Sequence, residues 1–441
     1  MLLGGTESGS GWSQSTSRLS RKKLIILSLG VAFVLATTSV VPTIASLFTN
    51  APSNYAASFT VAGNLNDPTV IGISGNLLVI TESIPPSAPT TTNVETLNLQ
   101  TQAINPIASF SGSGVVVGRL ANDSAGDIFY LVAAPTGEQI VEQTRTNTGF
   151  GAPISLYSDS LCFAFSPTCP ANDLGGITGL VSDTSGDIYF AENYPDGTSA
   201  IVELSAGDYT APSTLLTLAG TTSVSGVRQI TLAGDSIYFI SRTGSSTEQV
   251  NSFDLRTRTT TTLLSVPVGA NAAYLPYLAA GPGQSASSTT EVYYLYRVSA
   301  GPTQLLGGPS GSPPAQFVLG GFSTSIPTVT RTPPGQLPGE IASETFTPPT
   351  SVAMGLALSQ GLMQVSPSGD VFFFYFPYTT PGVSSGNWVV EWYNSANSRF
   401  SQVYALSFYD STNFYNITFA VDSSGNLYVA TGGTSIIEIT F

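Results

Sequence analysis

The sequence contains no histidine, and its only two lysines are Lys22 and Lys23. Without histidine, the chain cannot build a Ser-His-Asp triad, an imidazole base or a histidine-ligated metal site. Without lysine after residue 23, it cannot form a Schiff base there with a substrate carbonyl. Any catalytic site in the rest of the chain must therefore use Asp, Glu, Tyr, Arg or hydroxyl side chains.

Charged residues are scarce as well, at 9% of the chain, against about 25% in typical soluble proteins. The chain has 13 Lys and Arg residues against 27 Asp and Glu residues, for a net charge of -14. An acidic surface repels phosphate backbones and anionic lipid, so nucleic acid is not an expected partner. Hydrophobic residues make up 42%, which is enough to fill a core and argues against a disordered chain.

An apolar segment near the N-terminus follows a basic cluster and is broken by Pro42. Its 18 residues before that proline would form a helix about 27 Å long, close to the thickness of a bilayer core. Residues 24–48 are therefore either a transmembrane anchor or a signal peptide cleaved near Ala45. The positive-inside rule makes residues 1–23 a cytoplasmic, disordered tail and exports the rest. We expect a single-pass cell-membrane protein with its C-terminal domain outside, or a secreted protein if the segment is cleaved.

Two features of the exported part depend on this location. The two cysteines, Cys162 and Cys169, lie close together in an irregular segment. In an exported chain such a pair predicts a local disulfide, because a metal site would need more ligands. Two sequons make Asn122 and Asn416 candidate glycosylation sites.

The last 25 residues show the unit on which the exported part is built. An apolar strand ends at Asp422, a short turn follows, and a second strand begins at Leu427. Gly425 supplies the positive φ that a tight hairpin needs, and the Asp422 carboxylate can accept hydrogen bonds from turn amides. A third strand covers 435–441.

Seven copies of this hairpin can be placed along the chain, about 58 residues apart on average, which is the range of four-stranded propeller blades. Six of the seven turns carry Gly followed by Asp or Asn. The second strands are apolar on consecutive residues, which is typical of strands buried on both faces. They begin near Leu77, Ile128, Ile188, Ile237, Val292, Val371 and Leu427.

The predicted fold is an all-β, seven-bladed β-propeller of four-stranded antiparallel blades over residues 57–441, with six or eight blades as alternatives. A linker at 49–56 precedes it, and a Pro/Gly-rich insertion at 299–350 interrupts it. The last unit has only three strands, so we expect Ala57–Val61 to supply the fourth. That strand would pair antiparallel with Ser435–Thr440 and remove an exposed edge.

The final hairpin resembles the repeat of NHL-type propellers: an apolar strand, Asp, two small residues, Gly-Asn, and an apolar-Tyr-Val strand. The match is good for two units and partial for four. The resemblance implies a propeller fold. The Asn-His-Arg-Ile sequence that names the family is absent, so the resemblance does not extend to function.

Repeated acidic residues are interpreted as structural, because a single active site would not need a copy in every blade. This applies to the turn aspartates and to five glutamates that recur in the third strands, Glu95, Glu142, Glu203, Glu391 and Glu438.

Function is instead expected in the non-repeated loops that join second to third strands and fourth to first strands. Tyr, Asn and Asp side chains there suit contact with a sugar or a protein, since they combine flat apolar faces with directional hydrogen bonds. No metal or cofactor is predicted. The candidate ligand-binding residues are Glu192, Tyr194, Asp196, Arg242, Tyr378, Tyr409 and Asp410.

The sequence favours an exported, membrane-tethered propeller that serves as a binding or scaffold module at the cell surface, with a protein or glycan as its ligand. The alternative is a carboxylate-dependent extracellular enzyme on the same fold, such as a glycoside hydrolase or a polysaccharide lyase. Two acidic side chains that meet over the central channel would favour the enzyme. A channel lined by small polar and apolar groups would favour binding.

Overall fold

The structure is a computed structural model. It describes residues 57–84, 90–134, 136–160, 176–220, 226–243, 247–267, 274–282, 290–298, 315–323, 340–346, 363–375, 387–396, 399–407, 419–430 and 434–441. Within these ranges, no helix has the length and apolarity needed to cross a membrane. The predicted anchor at 24–48 lies outside them.

The described residues form seven four-stranded antiparallel sheets and one two-stranded hairpin. The strands, in chain order, are β1 (Ala57–Ala62), β2 (Thr69–Ser74), β3 (Leu77–Ile84), β4 (Thr91–Asn98), β5 (Ile104–Ser111), β6 (Val116–Asn122), β7 (Ile128–Ala134), β8 (Gly137–Gln143), β9 (Arg145–Thr146), β10 (Gly149–Phe150), β11 (Ile154–Ser158), β12 (Gly176–Ser182), β13 (Ile188–Asn193), β14 (Ser199–Ser205), β15 (Asp208–Leu218), β16 (Gly226–Ala233), β17 (Ser236–Thr243), β18 (Thr247–Asp254), β19 (Thr259–Pro267), β20 (Tyr274–Pro282), β21 (Thr290–Val298), β22 (Ala315–Ser323), β23 (Glu340–Phe346), β24 (Met363–Val365), β25 (Val371–Tyr375), β26 (Asn387–Asn394), β27 (Arg399–Ser407), β28 (Phe419–Val421), β29 (Leu427–Ala430) and β30 (Ile436–Thr440).

Each four-stranded sheet follows the predicted unit. Five sheets run through four consecutive strands: β2 to β5, β12 to β15, β16 to β19, β20 to β23 and β24 to β27. In a sixth sheet β11 follows β8, because the hairpin β9–β10 is inserted between them, and the seventh has the order β1-β30-β29-β28. The first strands of successive sheets lie against one another, and β28 in turn contacts β2. This closed ring of first strands is the architecture of a β-propeller.

The two ends of the described chain meet in one sheet, as predicted. Strand β1 pairs antiparallel with β30, with Ala57 opposite Thr440 and Thr60 opposite Ile437. A further backbone bond joins the Leu65 N–H to the Thr434 carbonyl at 2.9 Å. The pairing supplies the fourth strand that β28, β29 and β30 lack, so it covers the edge of β30.

The core lies between neighbouring sheets, and the second strands carry most of it. Strands β3 and β7 are each buried over six consecutive residues, and β29 is buried throughout. One cluster joins Phe129 and Leu131 of β7 to Leu180 of β12 and Phe190 of β13. A side chain on either face of these strands therefore meets a neighbouring sheet, which explains the continuous apolar runs.

The turn aspartates have the structural role expected of them. The Asp183 Oδ1 atom accepts hydrogen bonds from the Ser185 and Asp187 amides at 2.8 and 3.0 Å. Asp123 and Asp422 make the same pair of bonds in their own turns. The carboxylate thus replaces water as the partner of the turn amides before the chain reverses.

The five third-strand glutamates do not all occupy the same position in the register of their hairpins. Glu142, Glu203 and Glu438 each stand opposite the second residue of the preceding strand. Glu95 stands opposite Ile80, two positions further along, and the buried Glu391 opposite Phe373, one position further. The sequence spacing was similar, but these two hairpins pair in a different register.

The region 299–350 contributes to the fifth unit. The predicted insertion contains two strands of the fifth sheet: β22 at Ala315–Ser323, and β23 at Glu340–Phe346, which is the outer strand of that sheet.

Candidate ligand-binding site

A group of polar side chains lies where two neighbouring sheets meet, at the end of the propeller that carries the loops between second and third strands. We call this group the Glu192 cluster. Its members come from the sheet of β6, β7, β8 and β11 and from the sheet of β12 to β15. They are Arg119, Glu138, Tyr157, Asp159, Glu192 and Tyr194.

Glu192 lies near the end of β13 and is only 3% exposed. The Tyr157 hydroxyl, at the end of β11 in the neighbouring sheet, donates a hydrogen bond to its Oε1 atom at 3.0 Å. The Tyr194 hydroxyl donates to its Oε2 atom at 2.6 Å. Both carboxylate oxygens are therefore held by phenol groups, and one of these bonds joins the two sheets.

Burial and the neighbouring Glu192 charge raise the pKa of Tyr157 well above its usual range. The same two causes, with the Tyr194–Glu192 hydrogen bond, raise the pKa of Tyr194. Both phenols therefore remain protonated donors at any physiological pH. Their rings are half-buried, and the Tyr157 ring packs on Phe190 with centroids 4.8 Å apart.

Glu138 begins the third strand of the preceding sheet and is fully buried, with 0% of its surface exposed. Its Oε2 atom accepts a hydrogen bond from the Ile177 amide, across the junction between the sheets. Its Oε1 atom has no hydrogen-bond partner among the described residues. Desolvation raises the pKa of Glu138 to about 8, and the Asp159 and Glu192 charges add to the rise.

Gly176, the residue before Ile177, lets the backbone of β12 come close to the Glu138 carboxylate. A Cβ atom at this position would lie 2.9 Å from Glu138 Oε2, and the backbone φ is +126°. Any other residue would collide with the carboxylate and would strain the backbone. The first strand β12 can therefore start directly against Glu138.

Arg119 is the cation of the cluster. It lies within β6, where the pairing with β7 is irregular between Gly118 and Ala121, and its φ is +57°. Its side chain is buried, at 4% exposed, and desolvation lowers its pKa to about 10, although the Glu138 charge opposes the fall. Left-handed backbone is uncommon for residues other than glycine, and it is often found at functional sites.

Asp159 completes the cluster. Its Oδ1 atom accepts a bond from the Glu138 amide at 3.3 Å, and its own amide donates to the Glu138 carbonyl at 3.0 Å. Its charge also raises the pKa of Tyr157 and Tyr194. The half-buried Tyr157, Asp159 and Tyr194 form the part of the cluster that reaches the surface.

Comparison with known proteins gives no family. No protein-family model matches the chain, and no curated protein matches it in sequence. The solved structures that resemble it include a streptogramin B lyase, at 14% identity and a TM-score of 0.45, over 87% of this chain and 96% of that one. A virginiamycin B lyase from Staphylococcus aureus has 13% identity and a TM-score of 0.45, over 87% and 99% of the two chains. At this distance the likenesses support no functional argument.

The structure brings together two of the predicted site residues, Glu192 and Tyr194. Asp196 is exposed and acts within its loop: its Oδ1 atom accepts from the Thr198 hydroxyl and amide at 2.6 and 2.8 Å, and these bonds lower its pKa. Arg242 lies one sheet further, on β17, opposite Gly226 and Glu248. There, Arg228 forms an ion pair with the buried Glu248 at 3.1 Å.

Four members of the cluster were missed from sequence. Tyr157 and Asp159 precede the irregular segment that holds the two cysteines, and nothing in their sequence pattern marks them. Glu138 follows Gly137 at the start of a third strand, a position held by Ser199 and Glu248 in the next two sheets. Arg119 is a charged residue within an apolar strand, which is a usable signal in a chain with so few cations.

Several predicted features lie outside the described residues: Tyr378, Tyr409, Asp410, Asn416 and the Cys162–Cys169 pair. Asn122 is exposed at the end of β6, so its glycosylation stays a prediction. Among the described residues, no group of three or more acidic or cysteine side chains is arranged to hold a metal ion.

Proposed function

We propose that this protein is an exported, membrane-tethered propeller that binds a glycan or protein ligand at the cell surface through the Glu192 cluster. The observation that carries the proposal is the fixing of two half-buried tyrosines by one buried carboxylate. Such a carboxylate holds both rings in one orientation before a ligand arrives, which lowers the entropic cost of binding. Rigid aromatic groups with polar tips are favoured in contacts with polar ligands.

The location of the cluster supports binding over catalysis. Glu138 is on a third strand and Glu192 is near the end of a second strand, so these carboxylates meet at the junction of two sheets and not on the ring of first strands. Glu138 also has a structural role, since its carboxylate accepts a hydrogen bond from the Ile177 amide of the neighbouring sheet. Asn193 does the same one junction later, where its side chain pairs with the Val227 amide and carbonyl at 2.9 Å each.

A glycan array probed with the full chain in mild detergent tests this function. We expect binding to a defined subset of glycans, and we expect the Glu192→Gln variant to lose it because a neutral amide no longer holds both phenols. Tyr209→Phe is the matched control, since the Tyr209 hydroxyl donates to the Gly186 carbonyl in a turn away from the cluster. Binding that survives in Glu192→Gln would assign the ligand to another surface.

A second candidate is a carboxylate-dependent enzyme that cleaves polysaccharides. It is favoured by the presence of two buried carboxyl groups in one cluster, Glu138 and Glu192, since desolvation raises the pKa of Glu138 to about 8. A carboxyl group with a raised pKa stays protonated at neutral pH and can act as a general acid beside a second carboxyl group. Release of reducing ends or of unsaturated sugars from a polysaccharide panel, abolished in Glu138→Gln, would establish this activity.

We also infer that each four-stranded sheet is one blade, so that the propeller has seven, and that its hairpin is related in pattern to NHL-type repeats. The closed ring of first strands supports the blade number. Export and tethering depend on residues 24–48. Protease treatment of intact cells tests them: an exported domain is digested while residues 1–23 are protected.

A further inference from the structure

We propose that one side of the propeller rests on the surface of a membrane rich in neutral, zwitterionic lipid. The contact surface consists of the exposed residues 58–60, in β1, and 100–106, in β5 and the turn before it. We call it the β1/β5 rim. This inference rests on the membrane tethering in the proposed function, and it adds which side of the propeller faces the bilayer.

Two large apolar side chains are exposed on the β1/β5 rim. Phe59 is 44% exposed and Ile104 is 36% exposed, and each is on the outermost strand of its sheet. Cross-strand partners share one face of a sheet, so the pairing registers place Phe59 on the same face as Tyr428 and Ile104 on the same face as Leu78. Tyr428 and Leu78 belong to one apolar cluster between the two sheets. Phe59 and Ile104 therefore border the same junction, at its outer, exposed end.

The residues of the rim carry no charge. Between Lys23 and Arg119, the sequence contains three charged residues, Asp67, Glu82 and Glu95. The first two are buried, at 8% and 7% exposed, and Glu95 is half-buried. The outer strands of three other sheets do contain charged residues, namely Asp208, Glu340, Glu344 and Arg399.

This absence of charge determines which surface the rim fits. Removing a charged group from water is costly, so an uncharged rim can enter the apolar edge of a bilayer without that cost. Two half-buried acids border the rim, Glu95 opposite Pro106 and Glu438 opposite Phe59, and burial raises the pKa of both. Anionic headgroups would repel these acids and the acidic remainder of the chain. A zwitterionic bilayer therefore fits better than an anionic one.

The tether reaches the propeller at this rim. Ala57 begins β1, and residues 49–56 join it to the expected membrane segment at 24–48. Eight residues span at most about 29 Å, so β1 stays within that reach of the bilayer. A tether raises the effective concentration of the rim at the membrane, and a small apolar contact is then sufficient. Two exposed side chains are too few for a stable protein interface, which buries about 1,200–2,000 Å².

Tryptophan quenching by brominated lipid tests the inference in the full chain reconstituted into phosphatidylcholine vesicles. Phe59→Trp and Ile104→Trp each place a tryptophan on the rim, and vesicles with and without dibromo-phosphatidylcholine report its contact with the acyl chains. The wild type supplies the background from the three native tryptophans. We expect the fluorescence added by each variant to fall at least twofold in the brominated vesicles.

Thr260→Trp is the matched control. Thr260 is exposed on β19, the outermost strand of another sheet, so its added fluorescence should be the same in both kinds of vesicle. Circular dichroism confirms that each variant is folded. Because Phe59 and Ile104 are replaced separately, either variant alone is informative if the other does not fold.

Failure of this inference and failure of the proposed function can be told apart. If the protein floats with the vesicles but neither rim tryptophan is quenched, the membrane contact is overturned and the tether stands. Equal quenching of all three variants would show that no side of the propeller is preferred, and would also overturn the contact. If the wild type does not float with the vesicles, both the tether and the contact are overturned, while the glycan array still tests ligand binding independently.

Discussion

Replacing Glu138 with Gln should make the stability of the protein less dependent on pH. Glu138 is fully buried, and desolvation is the main cause that raises its pKa from 4.5 to about 8. Below pH 4.5 the carboxyl is protonated in both the folded and the unfolded chain. As pH rises from there, the unfolded chain ionises first, so the free energy of unfolding falls until the folded pKa is reached.

The magnitude follows from the shift. Each pKa unit corresponds to about 1.4 kcal/mol, so the Glu138 contribution should fall by about 3 kcal/mol between pH 4.5 and 7 and by about 5 kcal/mol in total. Glutamine keeps an oxygen that can accept the Ile177 amide but has no charge to desolvate. Glu138→Gln should therefore remove that part of the pH dependence. Burial also raises the pKa of Glu95, Glu142 and Glu438, and these shifts leave a smaller slope of the same sign.

Urea unfolding of the full chain in detergent, followed by tryptophan fluorescence at a series of pH values, measures the effect. Tyr209→Phe is the control, because the pKa of the Tyr209 hydroxyl is raised to about 12, far above this pH range, so its removal should leave the slope unchanged. Parallel curves for the wild type and Glu138→Gln would refute the reasoning. So would a wild type that is more stable at pH 8 than at pH 5.

Three further predictions concern ring closure, a hairpin turn and the cysteine pair. Deleting residues 56–64 removes β1 and its backbone hydrogen bonds to β30, each of which contributes about 1 kcal/mol. The melting temperature should therefore fall sharply. An unchanged melting temperature would show that ring closure does not depend on β1. Asp183→Ala removes two turn bonds and should cost about 1–2 kcal/mol of unfolding free energy, while Asp183→Asn, which keeps an acceptor, should cost less in the same urea titration. Cys162 and Cys169 should resist alkylation without reductant in the exported protein; two labelled thiols by mass spectrometry would reject the disulfide.

The fold was predictable because its signal is repeated. Six of the seven hairpins carry Gly with Asp or Asn in the turn, and the second strands are apolar on both faces, so one unit explains the others. The pairing of β1 with β30 followed from a missing strand in the last unit. Register was harder: Glu95 and Glu391 shift relative to their partners without any change in the local pattern, because pairing depends on the neighbouring strand.

The site was only partly predictable, for a physical reason. Glu192 and Tyr194 are close in sequence, so a loop composition could single them out. Glu138, Tyr157 and Arg119 reach them only because two sheets pack side by side. Arg242 is also a polar residue near a loop between a second and a third strand. It lies in the next sheet, however, where it is opposite Glu248 and away from the Glu192 cluster.

The pairing of β1 with β30 also determines when the protein can finish folding. The two strands are about 380 residues apart in the chain, so the first strand to be made must wait for the last. Contacts of such long sequence separation are slow to form, and an unpaired edge is prone to pair with other chains while it waits. During synthesis, the ring therefore stays open until β30 has been made. We expect this interval, more than the finished propeller, to be the stage at which the protein is most vulnerable to aggregation.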